Sequence, residues 1–337
     1  SYRGIKNMKY SITSKVLLIL IPFWLNAQKL FEESNDFFVT EIENTYKKGL
    51  NFLEASQNGM GAWDDSSYGS EPGVVGMSIL AFIARGDDPE FGLYRKPTQK
   101  ALNYLLSKQD PKSGYIGNSM YNHGFATLAL AEIYGSMNDS RIGPALQKAT
   151  DLIITSQKNN PKGGWRYSPE STDADTTVSG AQMVALFAAR NAGINVSEEA
   201  IKRGKAFILS CQNENGGFGY TGGTGPNLPR SSIGCLVLSL FKETNSKAYQ
   251  KAVLFIKENA SFDEQGHKYY SLYYTAQATF RISPSFWNSW NSQNFRRLQT
   301  SQTQEGAWNG NYGKTFATSA ALLSLALNYR YLPIYER

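Results

Sequence analysis

Residues 171–177 read STDADTT, which puts Asp173 and Asp175 one residue apart just ahead of an apolar run that opens at Val178. Two roles suit carboxyls in such a place. A carboxylic acid kept protonated by burial, beside a group that polarises its proton, can donate that proton to a bound substrate. Asp and Thr at a helix start can instead accept hydrogen bonds from open backbone N–H groups and complement the helix dipole. Asp175 and Asp173 are therefore candidate catalytic acids and, equally, candidate caps.

Five more polar stretches precede apolar runs in the same way: GSEPG (69–73), NSMYNHG (118–124), NLPRSS (227–232), GHKYYSLYY (266–274) and NGNYGKT (309–315). Both histidines of the chain, His123 and His267, fall in them. His123 reads either as a general base facing the two aspartates or as a helix-start histidine hydrogen-bonded to its neighbours. Tyr121, Arg230, Tyr269, Tyr270, Tyr273 and Lys314 are the candidate substrate-binding residues. Tyrosines line sugar sites and stabilise carbocations, and they also serve as ordinary packing residues. The GNYGKT stretch lacks the earlier glycine of a phosphate loop, since Trp308 stands there. No metal site and no cofactor are expected.

A repeat must position these stretches. Five times a helical segment ends in glutamine and is followed by a glycine-containing turn with an aromatic: LEASQNGMGAW, LLSKQDPKSGY, IITSQKNNPKGGW, ILSCQNENGGF and LQTSQTQEGAW. The glutamines are Gln57, Gln109, Gln157, Gln212 and Gln302, with gaps of 52, 48, 55 and 90 residues. The last gap has room for a sixth, degenerate copy, FIKENASFDEQGHKYY, with Glu258 or Asn259 in the glutamine's place. Each turn leads into a second helix such as VVGMSILAFIARG or TSAALLSLALNY, apolar around most of its circumference and so expected to be buried. The glutamine-ended helices carry more Lys and Glu and should lie outside. Six such pairs, at about 48 residues each, predict an all-α fold of twelve helices closed into a double ring, an α/α toroid. A glutamine amide would bond open backbone groups at the helix end, and the aromatic would stack on the next repeat.

The Q-x(3–6)-G-[GA]-[WFY] turns resemble the repeat of the squalene–hopene cyclase and protein prenyltransferase superfamily, over roughly Glu43 to Tyr331. The resemblance implies a single terpenoid-cyclase-like toroid. TDADTT is similar to the D-x-D-D-T motif of class II cyclases, whose middle aspartic acid protonates an alkene or epoxide. On that alignment Asp173 is the first acid and Asp175 the proton donor, while Thr176 replaces the last aspartate. Full-length cyclases of that kind pair two toroid-like domains and this chain has room for one, which weighs against an ordinary terpene cyclase. The prenyltransferase zinc set of Asp, Cys and His has no counterpart, because the chain has no D-x-C.

Met8 to Ala27 carries Lys9 and Lys15, an apolar stretch from Val16 to Leu25 and then Asn26-Ala27, the three-part layout of a signal peptide. The expected organisation is a leader over 1–27 and one toroid over 28–337, exported to a periplasmic or extracellular location. Without Arg3, Lys6, Lys9 and Lys15, 30 basic residues face 28 acidic ones and no basic run remains, so nucleic-acid partners are not expected. No later stretch is long and apolar enough to cross a membrane. Cys211 and Cys235 are compatible with a disulfide or with two buried small residues.

Two functional expectations head the list. One is an exported toroid that binds a hydrophobic, isoprenoid- or lipid-like ligand in its central cavity, with acid chemistry at Asp175. The other is a cell-envelope carbohydrate-binding protein or polysaccharide lyase-like enzyme using Arg230, Lys314 and Tyr270. A non-catalytic interaction module, with its ring filled by side chains, is the third. The partner expected in the first two is a small molecule, and the sequence leaves oligomeric state open.

Overall fold

The computed structural model describes residues 38–65, 68–262 and 267–335. The expected leader, residues 1–27, lies outside the described residues. Two compact units divide the chain at Thr45 and Tyr46. In the first, residues 38–45 are helical. All that follows concerns the second.

Twelve α-helices alternate between two layers. They are α1 (residues 46–56), α2 (Pro72–Ile83), α3 (Arg95–Ser107), α4 (Met120–Ile133), α5 (Ile142–Asn159), α6 (Thr176–Asn191), α7 (Glu198–Ser210), α8 (Leu228–Leu240), α9 (Lys247–Asn259), α10 (Lys268–Ile282), α11 (Pro284–Ser301) and α12 (Lys314–Ala326). The even-numbered helices pack in the order α2, α4, α6, α8, α10, α12 and back to α2, an inner ring that closes on itself. The odd-numbered helices α3, α5, α7, α9 and α11 lie outside, each against the inner helix that precedes it. No strand occurs among the described residues. This is the α/α toroid that the repeat predicts.

Burial explains the two layers. Every residue of α2 is buried, whereas α7 buries only Ala200, Ile201, Gly204, Phe207 and Ile208 along one stripe. A helix apolar all round must have neighbours on all sides, and one with a single stripe must face water. Short polar residues start the helices: Ser119, Asp175, Ser197, Asn227, Ser246 and Ser283 each accept backbone N–H bonds in the first turn that follows.

The repeat glutamines act between outer helices, a longer reach than the helix-end role read from sequence. Gln157 donates through Nε2 to Gly163 O in its own turn and to Ala200 O at the start of α7, both at 2.8 Å. Gln57 reaches Pro97 O, Gln109 reaches Ala145 O and Gln212 reaches Ala248 O in the same way, at 2.8–2.9 Å. The degenerate copy departs from this, since Asn259 bonds only back to Phe255 O in its own helix. There Phe262 stacks on Trp290 of α11 with centroids 5.4 Å apart.

One glycine closes the circle. Gly306 has φ +93°, and a Cβ built on it would lie 2.2 Å from Lys48 O in α1. Only glycine permits both the left-handed backbone and that approach.

The two ends of the ring differ. At the C-terminal ends of the inner helices a 3₁₀ turn, Pro333–Tyr335, plugs the hole. Ile334 N donates to Glu132 Oε2 of α4 at 3.3 Å, Arg281 of α10 donates to Ile334 O, and Tyr335 is buried. Phe125 of α4 meets Tyr273 of α10 across the middle, with ring centroids 5.8 Å apart. The N-terminal half of the ring is open. Cys211 and Cys235 are buried thiols without a disulfide.

Candidate functional site

All six inner helices begin around the open end, and their first turns line a cavity of about 740 Å³. Tyr68, Tyr121, Tyr167, Tyr220, Tyr270 and Tyr312 line it with Phe125, Phe316, Met77 and Val74. Its polar lining comes from Glu71, Asn118, Asn122, Asn227, Arg230 and His267 among others.

Asp175 is wholly buried and does not line this cavity. It is the N-cap of α6. Its Oδ1 accepts from Thr177 N at 2.8 Å, Val178 N at 2.9 Å and Thr177 Oγ1 at 2.6 Å. Its Oδ2 faces Arg166 Nε at 3.5 Å. Burial pushes the Asp175 carboxyl up from the ordinary range, against the pull of those donors and of the Arg166 charge. Of these partners only Thr177 lines the cavity, and its Oγ1 accepts a hydrogen bond from Tyr121 Oη. Asp173 is exposed and pairs with Arg166 Nη1 at 3.1 Å. The Arg166 guanidinium lies 5.1 Å from the ring centres of both Tyr167 and Tyr220, whose hydroxyls bond each other. The two aspartates thus hold an arginine that supports two cavity tyrosines.

His123 also lies outside the cavity. Its Nδ1 accepts Ile116 N at 3.1 Å and its Nε2 meets Ala149 O at 2.9 Å, so the ring is neutral with its proton on Nε2. Burial lowers its pKa to about 4. Ser179, Ser231 and Thr318 take the same backbone N–H, after the turn, in other repeats: from Trp165, Phe218 and Trp308. His123 fills that repeat position, the fourth residue of its helix, and has no free nitrogen for a general base's work.

The structure brings Tyr121, Arg230 and Tyr270 of the expected binding residues to the cavity. It does not bring Tyr269, Tyr273 or Lys314 there. Tyr269 is buried beside Gly310, Tyr273 packs on Phe125 and Tyr274, and Lys314 pairs with Glu305 at 3.1 Å. Helix geometry is the reason, because consecutive residues of a first turn point some 100° apart and only one or two can face the hole. Tyr68, Tyr167, Tyr220 and Tyr312 are cavity residues that the sequence reading missed. A signal for two of them exists: in GGWRY and GGFGY a tyrosine follows the turn aromatic by two residues.

Residues 74–233 match the family model of the squalene-hopene cyclase C-terminal domain. Among solved structures, the type II terpene cyclase MstE from Scytonema, in complex with its substrate geranylgeranyl dihydroxybenzoate, aligns with TM-score 0.59 over 87% of this chain and 99% of that one, at 14% identity. The fold is an α/α toroid like that of the terpene cyclase. The same toroid is shared with the GH76A alpha-1,6-mannanase from Salegentibacter, at TM-score 0.62 and 11% identity over 85% of this chain and 98% of that one. A protein from Actinoplanes aligns at TM-score 0.60 and 13% identity, over 86% and 99% of the respective chains. MstE corrects one expectation. A type II terpene cyclase can be spanned almost completely by a single terpenoid-cyclase-like toroid, so having one ring does not weigh against that class.

No group of three or more His, Cys, Asp or Glu suited to a metal ion occurs among the described residues. No described helix is long and apolar enough to cross a membrane.

Proposed function

We propose that this terpenoid-cyclase-like toroid is an exported protein whose central cavity binds a hydrophobic, isoprenoid- or lipid-like ligand. The observation that carries the reading is the cavity itself, about 740 Å³, walled by six tyrosines, two phenylalanines, Met77 and Val74. That volume lies in the range of small-molecule sites, and a mainly aromatic wall gains most by covering apolar surface. The geranylgeranyl substrate named for MstE supports the class of ligand. Export rests on the composition of residues 8–27. Within this reading Asp175 orients Thr177 and Tyr121 instead of donating a proton, because its Oδ1 is filled by three donors and its Oδ2 faces Arg166.

A carbohydrate ligand is the second reading, favoured by the polar rim of Asn118, Asn122, Asn227 and Arg230 and by the mannanase likeness. Hydrolysis of a glycoside by two carboxylates does not fit it. Glu71 is the one carboxylate lining the cavity among the described residues. The adjacent pair Asp64-Asp65 is engaged elsewhere: Asp64 with Asn58 and Asp65 with the amides of Gly69 and Thr315.

The test is extraction of the purified protein with organic solvent and with water, each followed by mass spectrometry. A lipid or isoprenoid recovered near one per chain is the expected result. Recovery of an oligosaccharide, together with no binding of any isoprenoid probe, would replace the first reading with the second.

A further inference from the structure

The cavity wall contains a directional chain of hydroxyls. Thr177 has one hydroxyl proton, and it goes to Asp175 Oδ1 at 2.6 Å. Asp175 Oδ1 already takes two backbone N–H groups, so it can only accept from that threonine. Thr177 Oγ1 must therefore be the acceptor toward Tyr121, and Tyr121 must give up its phenolic proton to it. A tyrosine whose proton is committed offers only its oxygen lone pair to anything in the cavity. Asp175 thus sets, through two bonds, the polarity of a wall atom it does not touch.

Next to that acceptor stands a donor. Tyr270 lines the cavity from α10, and its hydroxyl, shielded from solvent, makes no hydrogen bond of good geometry although the Tyr121 and Tyr274 hydroxyls lie close to it. Burial, and then the neighbouring Tyr121 and Tyr274 hydroxyls, raise its pKa well above the ordinary phenol value, so it stays protonated and able to donate. A buried hydroxyl left unpaired costs stability in a protein that has no use for it.

We infer that Tyr121 and Tyr270 form a polar subsite for the uncharged hydroxyl of an otherwise hydrophobic ligand, its O–H donated to Tyr121 and its oxygen accepting from Tyr270. This rests on the hydrophobic-ligand reading and narrows it from isoprenoids in general to isoprenoid alcohols. A carboxylate or phosphate has no proton for Tyr121. A hydrocarbon would leave Tyr270 unpaired.

The experiment compares three probes of equal chain length on the full chain: geranylgeraniol, the corresponding C20 hydrocarbon, and geranylgeranoic acid, each followed by quenching of tryptophan fluorescence. The alcohol is expected to bind about tenfold tighter than either of the others. Tyr121→Phe and Tyr270→Phe should each bring the alcohol to the hydrocarbon's affinity and leave the hydrocarbon's unchanged. Tyr270→Phe should also melt at the same or a higher temperature than the parent. Equal affinity for alcohol and hydrocarbon would overturn the subsite while leaving the hydrophobic cavity standing, and binding of none of the probes would overturn both. Tightest binding by the acid, untouched by Tyr121→Phe, would put an anion in the site and overturn the inference. A lowered melting temperature in Tyr270→Phe would mean that the hydroxyl is already paired in the empty protein, with the same consequence. Should a variant fail to fold, the three probes on the parent chain decide the matter alone.

Discussion

Thr177 Oγ1 donates to Asp175 Oδ1 at 2.6 Å, so a threonine on the cavity wall is oriented by a carboxylate buried behind it. The same carboxylate caps α6 and faces Arg166. Asp175→Ala should accordingly remove a cap, a hydroxyl anchor and an arginine's counter-charge together, at about 3 kcal/mol of stability. Asp175→Asn keeps an acceptor for the amides of Thr177 and Val178 and should cost about 1 kcal/mol. Urea unfolding of the two variants checks this ordering. Equal costs would show that the charge, and not the cap, carries the effect.

His123 offers a pH signature. Its folded pKa of about 4 lies below the 6.5 of an unperturbed histidine, because burial disfavours the charged ring. Between those values the unfolded chain binds more protons than the native one, so stability rises with pH across this window. The contribution is complete above pH 6.5 and is lost on acidification toward pH 4, to a limit of about 3 kcal/mol. Unfolding titrations at pH 4.5, 5.5 and 7 should show the slope. His123→Ala should flatten it while costing about 3 kcal/mol at neutral pH, since Ile116 N and Ala149 O lose their partner.

The glutamine bridge predicts a ranking within the repeat. Gln157 is almost fully buried and spans Gly163 O and Ala200 O, so Gln157→Ala should cost about 2–3 kcal/mol in a thermal or urea melt. Gln57, half-buried with a longer bond of 3.2 Å to Gly61 O, should cost roughly half as much. Reversal of that order would mean that solvent, not the protein, supplies most of the bond.

Gly306→Ala strikes at ring closure. The new Cβ would sit 2.2 Å from Lys48 O on a backbone with φ +93°. A loss above about 2 kcal/mol is expected, accompanied by faster hydrogen exchange in α1 and α12 than in α5 and α7. Uniform exchange across the ring would show that α1 does not depend on this contact.

The thiols supply a simple check on the core. Burial pushes Cys235 up to about 12 and raises Cys211 as well. Neither should react with a thiol reagent at pH 8 in the native protein, and both should react in denaturant. A native count of one or two reactive thiols would contradict the burial of Cys211 at the end of α7 or of Cys235 within α8.

The ring was legible in the sequence because its signal repeats. Five glutamines, 48 to 55 residues apart except for one gap of 90, mark the outer-helix ends, and helices with no polar face mark the inner ring. The sixth copy was legible only as a gap, since Asn259 does not make the bridging bond and Phe262 with Trp290 does the packing in its place. The cavity was far less readable. Knowing that GHKYYSLYY begins an inner helix does not say which tyrosine faces the hole, and one step along a helix turns the side chain by about 100°. Tyr270 faces in while Tyr269 and Tyr273 do not. His123 misled for a related reason: it stands where other repeats use Ser179, Ser231 and Thr318, and a histidine among hydroxyls reads as chemistry when it is a backbone anchor.

The C-terminal turn Pro333–Tyr335 turns the ring from a tube into a cup. The ligand proposed above would then go in end first and come out backwards, so the end that arrived first would depart last. Chain length then becomes a matter of overhang. Whatever exceeded the depth of the cup would stay outside while the leading end was held.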